Sequence, residues 1–190
     1  MNYIEISKRI IILLLFIIIV IYIYTDSDTK IFGKEIWPVK KEERLKKLII
    51  YKATDKYKDR TVIDPYSITH ISHGILFYFI MNFIYPNQNI LNLYRSLFIE
   101  ITWEILENMD YFINLYRIHD KYSRNYKGDS IVNILSDIIF MIIGFLFASK
   151  CKSSAFIFVI VSEIILYMKI QDNLTKSIKD ILIIPLLMNK

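Results

Sequence analysis

The side chains best equipped for chemistry lie within the apolar stretches of this chain. His70 and His73 are three residues apart and therefore share one helix face. Glu100, Glu104 and Glu107 follow at offsets of four and three, form a second stripe, and are succeeded by Asn108. Asp129, Asn133 and Asp137 recur every four residues on a third face. Glu163 sits in another apolar run, with Asp172 and Asn173 just past its end. Two imidazoles with several carboxylates match the ligand preferences of Zn²⁺, Mn²⁺ or Fe²⁺, with His70 and His73 as the nitrogen donors. Around such a divalent ion, a carboxylate among Glu104, Glu107 and Asp137 can act as general base on a metal-held water. That chemistry suits hydrolysis or transfer on a lipid-like substrate. Without a metal, His–Glu pairs can relay protons, as a proton-coupled small-solute transporter requires. A third reading needs no reaction at all, because buried polar side chains also tie helices together, at about 1 kcal/mol per interhelical hydrogen bond.

Depth groups these residues more firmly than their types do. The apolar runs approach the length needed to cross a bilayer, and together they predict an all-α polytopic bundle of about five spans. The first covers 10–24 behind Lys8 and Arg9. Thr25 to Asp28 lacks a small-x-small cleavage pattern, which predicts an uncleaved signal anchor over 1–24. A polar, charge-mixed connector occupies 25–66. Residues 67–190 form the four-helix membrane core, with spans at 67–85, 90–113, 130–149 and 154–170. The amphipathic segment 177–188 is short and fits an interfacial helix. Counted at 1.5 Å per residue, His73 then lies roughly 8 Å below one face, Glu107 roughly 9 Å, and Asp137 and Glu163 roughly 10 Å. Four helices thus deliver a titratable group to one level. The expectation is a single polar cavity opening on that side, lined also by Glu104 and Asn133, with Tyr116 and Arg117 at its mouth.

Composition supports the membrane reading. Hydrophobic residues make up 54 % of the 190 positions, only 4 are glycine, and the mean hydropathy is +0.36. The net charge is +5, from 24 basic and 19 acidic residues. On a membrane protein such an excess marks topology or anionic headgroups. No basic stripe interleaved with stacking aromatics is present, so nucleic acid is not an expected partner. Five of the basic residues (Lys8, Arg9, Arg95, Lys150 and Lys152) fall on one side of the predicted spans and the other 19 on the cavity side. The positive-inside rule places the cavity side in the cytoplasm, in the cell (inner) membrane. Cys151 is the single cysteine, which excludes an internal disulfide and a cysteine zinc site. Gly74 and Gly144 are positioned to permit close helix approach. Oligomeric state is left open by these patterns.

Five ordered motifs carry a resemblance: THISHGILFY at 69–78, WEILEN at 103–108, YR at 116–117, GDSIVNILSD at 128–137 and DNLT at 172–175. Over about residues 64–185 the chain resembles the bacterial membrane proteins grouped as domain of unknown function 2585. The resemblance implies a multi-pass membrane protein with no established activity. Two family features are absent: the cysteines shortly after the first span, and an arginine before DNLT, where this chain has Gln171. The chain is also distantly similar to teicoplanin-resistance (VanZ-like) membrane proteins, through Glu107 late in one helix and Asp129 and Asn133 early in the next. That likeness would imply cell-envelope or glycolipid chemistry.

Overall fold

In the computed structural model, residues 61–119 and 123–180 are described, and they form helices joined by short loops. The signal anchor predicted at 10–24, most of the connector, and the tail beyond 180 lie outside the described residues. The helices are α1 (Ser67–Ile84), α2 (Asn89–Glu107), α3 (Asp110–His119), α4 (Ile131–Lys150), α5 (Lys152–Ile170) and α6 (Leu174–Ile178). Three of them, α1, α4 and α5, are long and apolar enough to cross a membrane.

Local chemistry sets the helix ends. Ahead of α1 the Asp64 carboxylate accepts from the backbone N–H groups of Tyr66 and Ser67 at 2.8 and 2.9 Å, and Ser67 Oγ accepts from Asp64 N–H at 3.1 Å. This reciprocal arrangement satisfies donors that a helix start leaves without partners. Ser130 Oγ caps α4 by accepting from Asn133 N–H at 3.2 Å. Only Cys151 separates α4 from α5, and Gln171 ends α5 in the left-handed conformation, with φ of 54°.

The expected third span, 90–113, is corrected by the structure: it breaks after Glu107, and α3 starts afresh at Asp110. Asn108 is the cause. Its Nδ2 donates to the Glu104 carbonyl at 2.8 Å and to Asp129 Oδ2 at 3.3 Å, while its Oδ1 accepts from Asp129 N–H at 2.7 Å. The side chain thereby competes with the helical ladder and clamps the loop that leads into α4.

Inside and outside are inverted relative to a protein folded in water. The buried interior holds Ser72, Asn92, Ser96, Glu100, Glu104, Asn133 and Asp137, whereas Phe83, Phe98, Phe156, Ile157 and Met168 are more than half exposed. That distribution fits lipid as the surrounding solvent, where polar groups must find partners within the bundle. Apolar packing is concentrated between α1 and α4, where Ile75, Tyr78, Phe145 and Ala148 form one buried cluster together with Ala155 of α5. Leu97 of α2 packs with Ile134, Ile138 and Met141 of α4 in another.

The α1–α4 contact is made by two glycines. A Cβ on Gly74 would lie 1.9 Å from the Met141 carbonyl oxygen, and one on Gly144 would lie 2.0 Å from that of Ile71. Each helix thus presses its backbone onto the other at the point where a side chain is missing. Within a helix, Gly→Ala ordinarily gains up to about 1 kcal/mol. Here the obstructing atoms are backbone, so the clash outweighs the propensity. Gly74→Ala and Gly144→Ala are each expected to destabilise the detergent-solubilised protein by about 1–3 kcal/mol. Ile143→Ala, on the exposed face of α4, serves as the control. Melting temperatures unchanged in both glycine variants would contradict the close approach.

Candidate functional site

The parallel pairing of α1 with α4 sets His70 beside Asp137, and α2 runs alongside with its glutamate stripe turned inward. Glu100, wholly buried, is the centre of the arrangement. Its Oε1 lies 2.7 Å from His70 Nδ1, and its Oε2 lies 3.1 Å from His73 Nδ1. One carboxylate therefore orients both imidazoles through their Nδ1 atoms. The other nitrogen of His70, Nε2, faces Asp137 Oδ2 at 3.8 Å, and Glu104 Oε1 stands 3.5 Å from His70 Nδ1. The two imidazoles meet edge to face, 5.2 Å between centroids, and His73 stacks on Phe77.

Three overlapping groups have ligand atoms within 4.8 Å of one another: His70, His73 and Glu100; His70, Glu104 and Asp137; and Glu104, Glu107 and Asp129. Both carboxylate oxygens of Glu104 and Oδ1 of Asp137 are buried without a hydrogen bond. Buried polar atoms are nearly always satisfied, and a buried carboxylate without partners is costly enough to call for a proton or a cation.

All of these residues except Glu104, which was expected on the lining, border a cavity of about 310 Å³. His70, His73, Glu100, Glu107, Asp129, Asn133, Asp137 and Asp172 lie on its polar side. Leu76, Phe77, Ile80, Ile99 and Trp103 form an apolar wall. Ile80 and Ile99 are also exposed, so this wall reaches the outside of the bundle between α1 and α2. No lysine or arginine lines the cavity among the described residues.

The remaining candidates do other work. Asn133 lies on the cavity wall and donates to the Thr61 carbonyl at 3.1 Å, tying the segment before α1 to α4. Asn108 holds Asp129, which also accepts from the Tyr126 hydroxyl. Arg117 is not on the wall: its Nε donates to the Tyr126 carbonyl at 2.6 Å, bracing the loop that carries Tyr126. Tyr116 does line the cavity, edge to face with Tyr126. Glu163, expected on the cavity, is occupied elsewhere. It accepts from the N–H groups of Leu174 and Thr175 at 3.0 Å and from Thr175 Oγ1 at 2.6 Å. Asn173 caps α6 by accepting from Lys176 N–H at 2.9 Å, so of the DNLT motif it is Asp172 and Leu174 that reach the cavity.

Sequence spacing sets Glu100 in the glutamate stripe, i, i+4 from Glu104, but does not mark it as the residue that engages both histidines. Asp64, in the segment just before α1, also lines the cavity. Burial, followed by the nearby charge of Asp129, raises its pKa above the ordinary aspartate value, despite the lowering effect of His70 and two backbone N–H groups.

Comparison with known proteins adds relatives but no activity. The chain is 36 % identical over 119 residues to a UPF0314 protein of Brucella anthropi, covering 62 % of this chain and 60 % of that one. It is 36 % identical over 121 residues to a UPF0314 protein of Sphingopyxis alaskensis (62 % and 63 %), and 37 % over 117 residues to one of Agrobacterium fabrum (60 % and 59 %). The matches thus span about 60 % of the relatives' length. No solved structure matches. These comparisons do not show the likeness to VanZ-like proteins. Residues 46–189 match the family described as "Protein of unknown function (DUF2585)". That stretch takes in every helix bordering the cavity, and the chain belongs to the DUF2585 family.

Proposed function

We propose that the protein is a multi-pass enzyme of the cell (inner) membrane that hydrolyses an ester or phosphoester bond in a lipid-like substrate, using a divalent cation held by His70, Glu104 and Asp137. The observation that carries this reading is the set of buried carboxylate oxygens on Glu104 and Asp137 that make no hydrogen bond, beside an imidazole whose other nitrogen is already fixed by Glu100. A carboxylate–histidine pair of this kind is how proteins orient a metal-ligating nitrogen. The apolar wall at Leu76, Ile80 and Ile99 suits an acyl chain arriving from the bilayer, while the polar side receives the headgroup. The greater share of basic residues on the cavity side supports a mouth on the cytoplasmic side.

Each residue then has a definable task. Held by His70, Glu104 and Asp137, a divalent cation would lower the pKa of a bound water and polarise the scissile group. His73, held by Glu100 through Nδ1, has Nε2 left to accept that water's proton, the dyad logic of hydrolytic enzymes. The water oxygen attacks the carbonyl or phosphoryl centre, the bond to the leaving oxygen breaks, and His73 returns the proton to that oxygen. Glu100 is a positioning residue for both imidazoles.

Two outcomes follow. Purified protein should retain divalent metal by elemental analysis. His70→Ala and Asp137→Asn should lose at least tenfold in affinity, the usual scale on which metal sites respond to such changes. His73→Ala should keep its metal and lose release of headgroup or free fatty acid from mixed-lipid vesicles by about 10²–10⁴-fold, the range for a general base. Metal-free wild-type protein with full function would defeat the proposal. Proton flux into liposomes that depends on Glu107, in protein lacking metal, would instead establish the transporter reading.

A further inference from the structure

We infer that the site holds two divalent cations, with Glu104 as the carboxylate bridging them; this rests on the metal-dependent reading above and specifies its centre. Glu104 is the one residue shared by the group with His70 and Asp137 and the group with Glu107 and Asp129. It is 2 % exposed, and both of its oxygens lack a hydrogen bond. A carboxylate that merely tied helices together would spend its oxygens on hydrogen bonds and leave neither open. A bridging carboxylate needs both.

Charge leads to the same arrangement. Glu100, Glu104, Glu107, Asp129 and Asp137 bring five carboxylates within the three overlapping groups, against two imidazoles, and no lysine or arginine lines the cavity among the described residues. In a low-dielectric interior this concentration of negative charge is sustained only by protons or cations. One divalent ion offsets two carboxylates, and a second brings four of the five into balance.

The two positions differ in character. The first offers a nitrogen of His70 with two carboxylates, a donor set open to Zn²⁺, Mn²⁺ or Fe²⁺. The second, at Glu107 and Asp129, offers oxygen alone, which favours Mn²⁺ or Mg²⁺. Mn²⁺ suits both. The second position is also braced from outside: Asp129 accepts from Asn108 Nδ2 and the Tyr126 hydroxyl through Oδ2. Two ions held there would stabilise both the attacking and the leaving oxygen of a displacement. The break between α2 and α3 thereby acquires a purpose, since it is Asn108 that brings Asp129 to Glu104.

The test is to strip the full chain in detergent with chelator and reload it with Mn²⁺. The expected result is two ions per chain, with an exchange-coupled electron paramagnetic resonance signal. Asp129→Asn should bind a single ion with an uncoupled signal, and Glu104→Gln should abolish coupling. Should Glu104→Gln fail to fold, the wild-type stoichiometry and coupling still decide the matter. One ion per chain, or two without coupling, would overturn the bridged centre while leaving the single-cation reading intact. No bound ion at all would overturn both.

Discussion

The backbone contact between α1 and α4 is the constraint on which the rest of this molecule depends. Gly74 meets the carbonyl of Met141 and Gly144 meets that of Ile71, and neither position has room for a β-carbon. In a bilayer the hydrophobic effect gives helices little reason to associate, so close packing and interhelical polar contacts must do so instead. The glycine pair supplies the first and creates the second. One turn before Gly74 lies His70, and two turns before Gly144 lies Asp137, so the register that seats the glycines also sets imidazole and carboxylate face to face at 3.8 Å.

From that fixed pair the polar interior is built outward. Glu100 of α2 reaches both histidines, and Glu104 follows one turn later with its oxygens left over. Asn108 then ends the helix and captures Asp129 at the entry to α4. The acidic groups are thus held by covalent neighbours whose own packing is secure. Their mutual repulsion is tolerated because the apolar clusters around Ile75, Leu97 and Met141 keep the three helices together.

The cavity combines this acidic side with an apolar wall that reaches the outer surface at Ile80 and Ile99. A soluble metalloenzyme needs no such lateral wall, and a bundle held by polar contacts alone needs no carboxylate oxygens without partners. The two features coincide in one place, and on that coincidence the proposed lipid-like substrate and cation rest. Glu163 shows the contrast: it is equally acidic and equally deep by residue count, but its carboxylate is consumed in capping α6.

Sequence alone determined the helices and the stripes. Apolar run length placed α1, α4 and α5, and the spacing of three and four residues put His70 with His73, and Glu100 with Glu104 and Glu107, on common faces. These are local properties, fixed by the geometry of a single helix. Which stripe meets which, and which carboxylate is left without a hydrogen bond, depended on contacts between residues far apart in the chain. Only the tertiary structure could decide that Glu100 binds both histidines, that Asn108 breaks the third span, and that Glu163 turns to α6 rather than to the cavity. A side chain's depth can be counted from the sequence, but its partners are set by how neighbouring helices rotate and close upon one another.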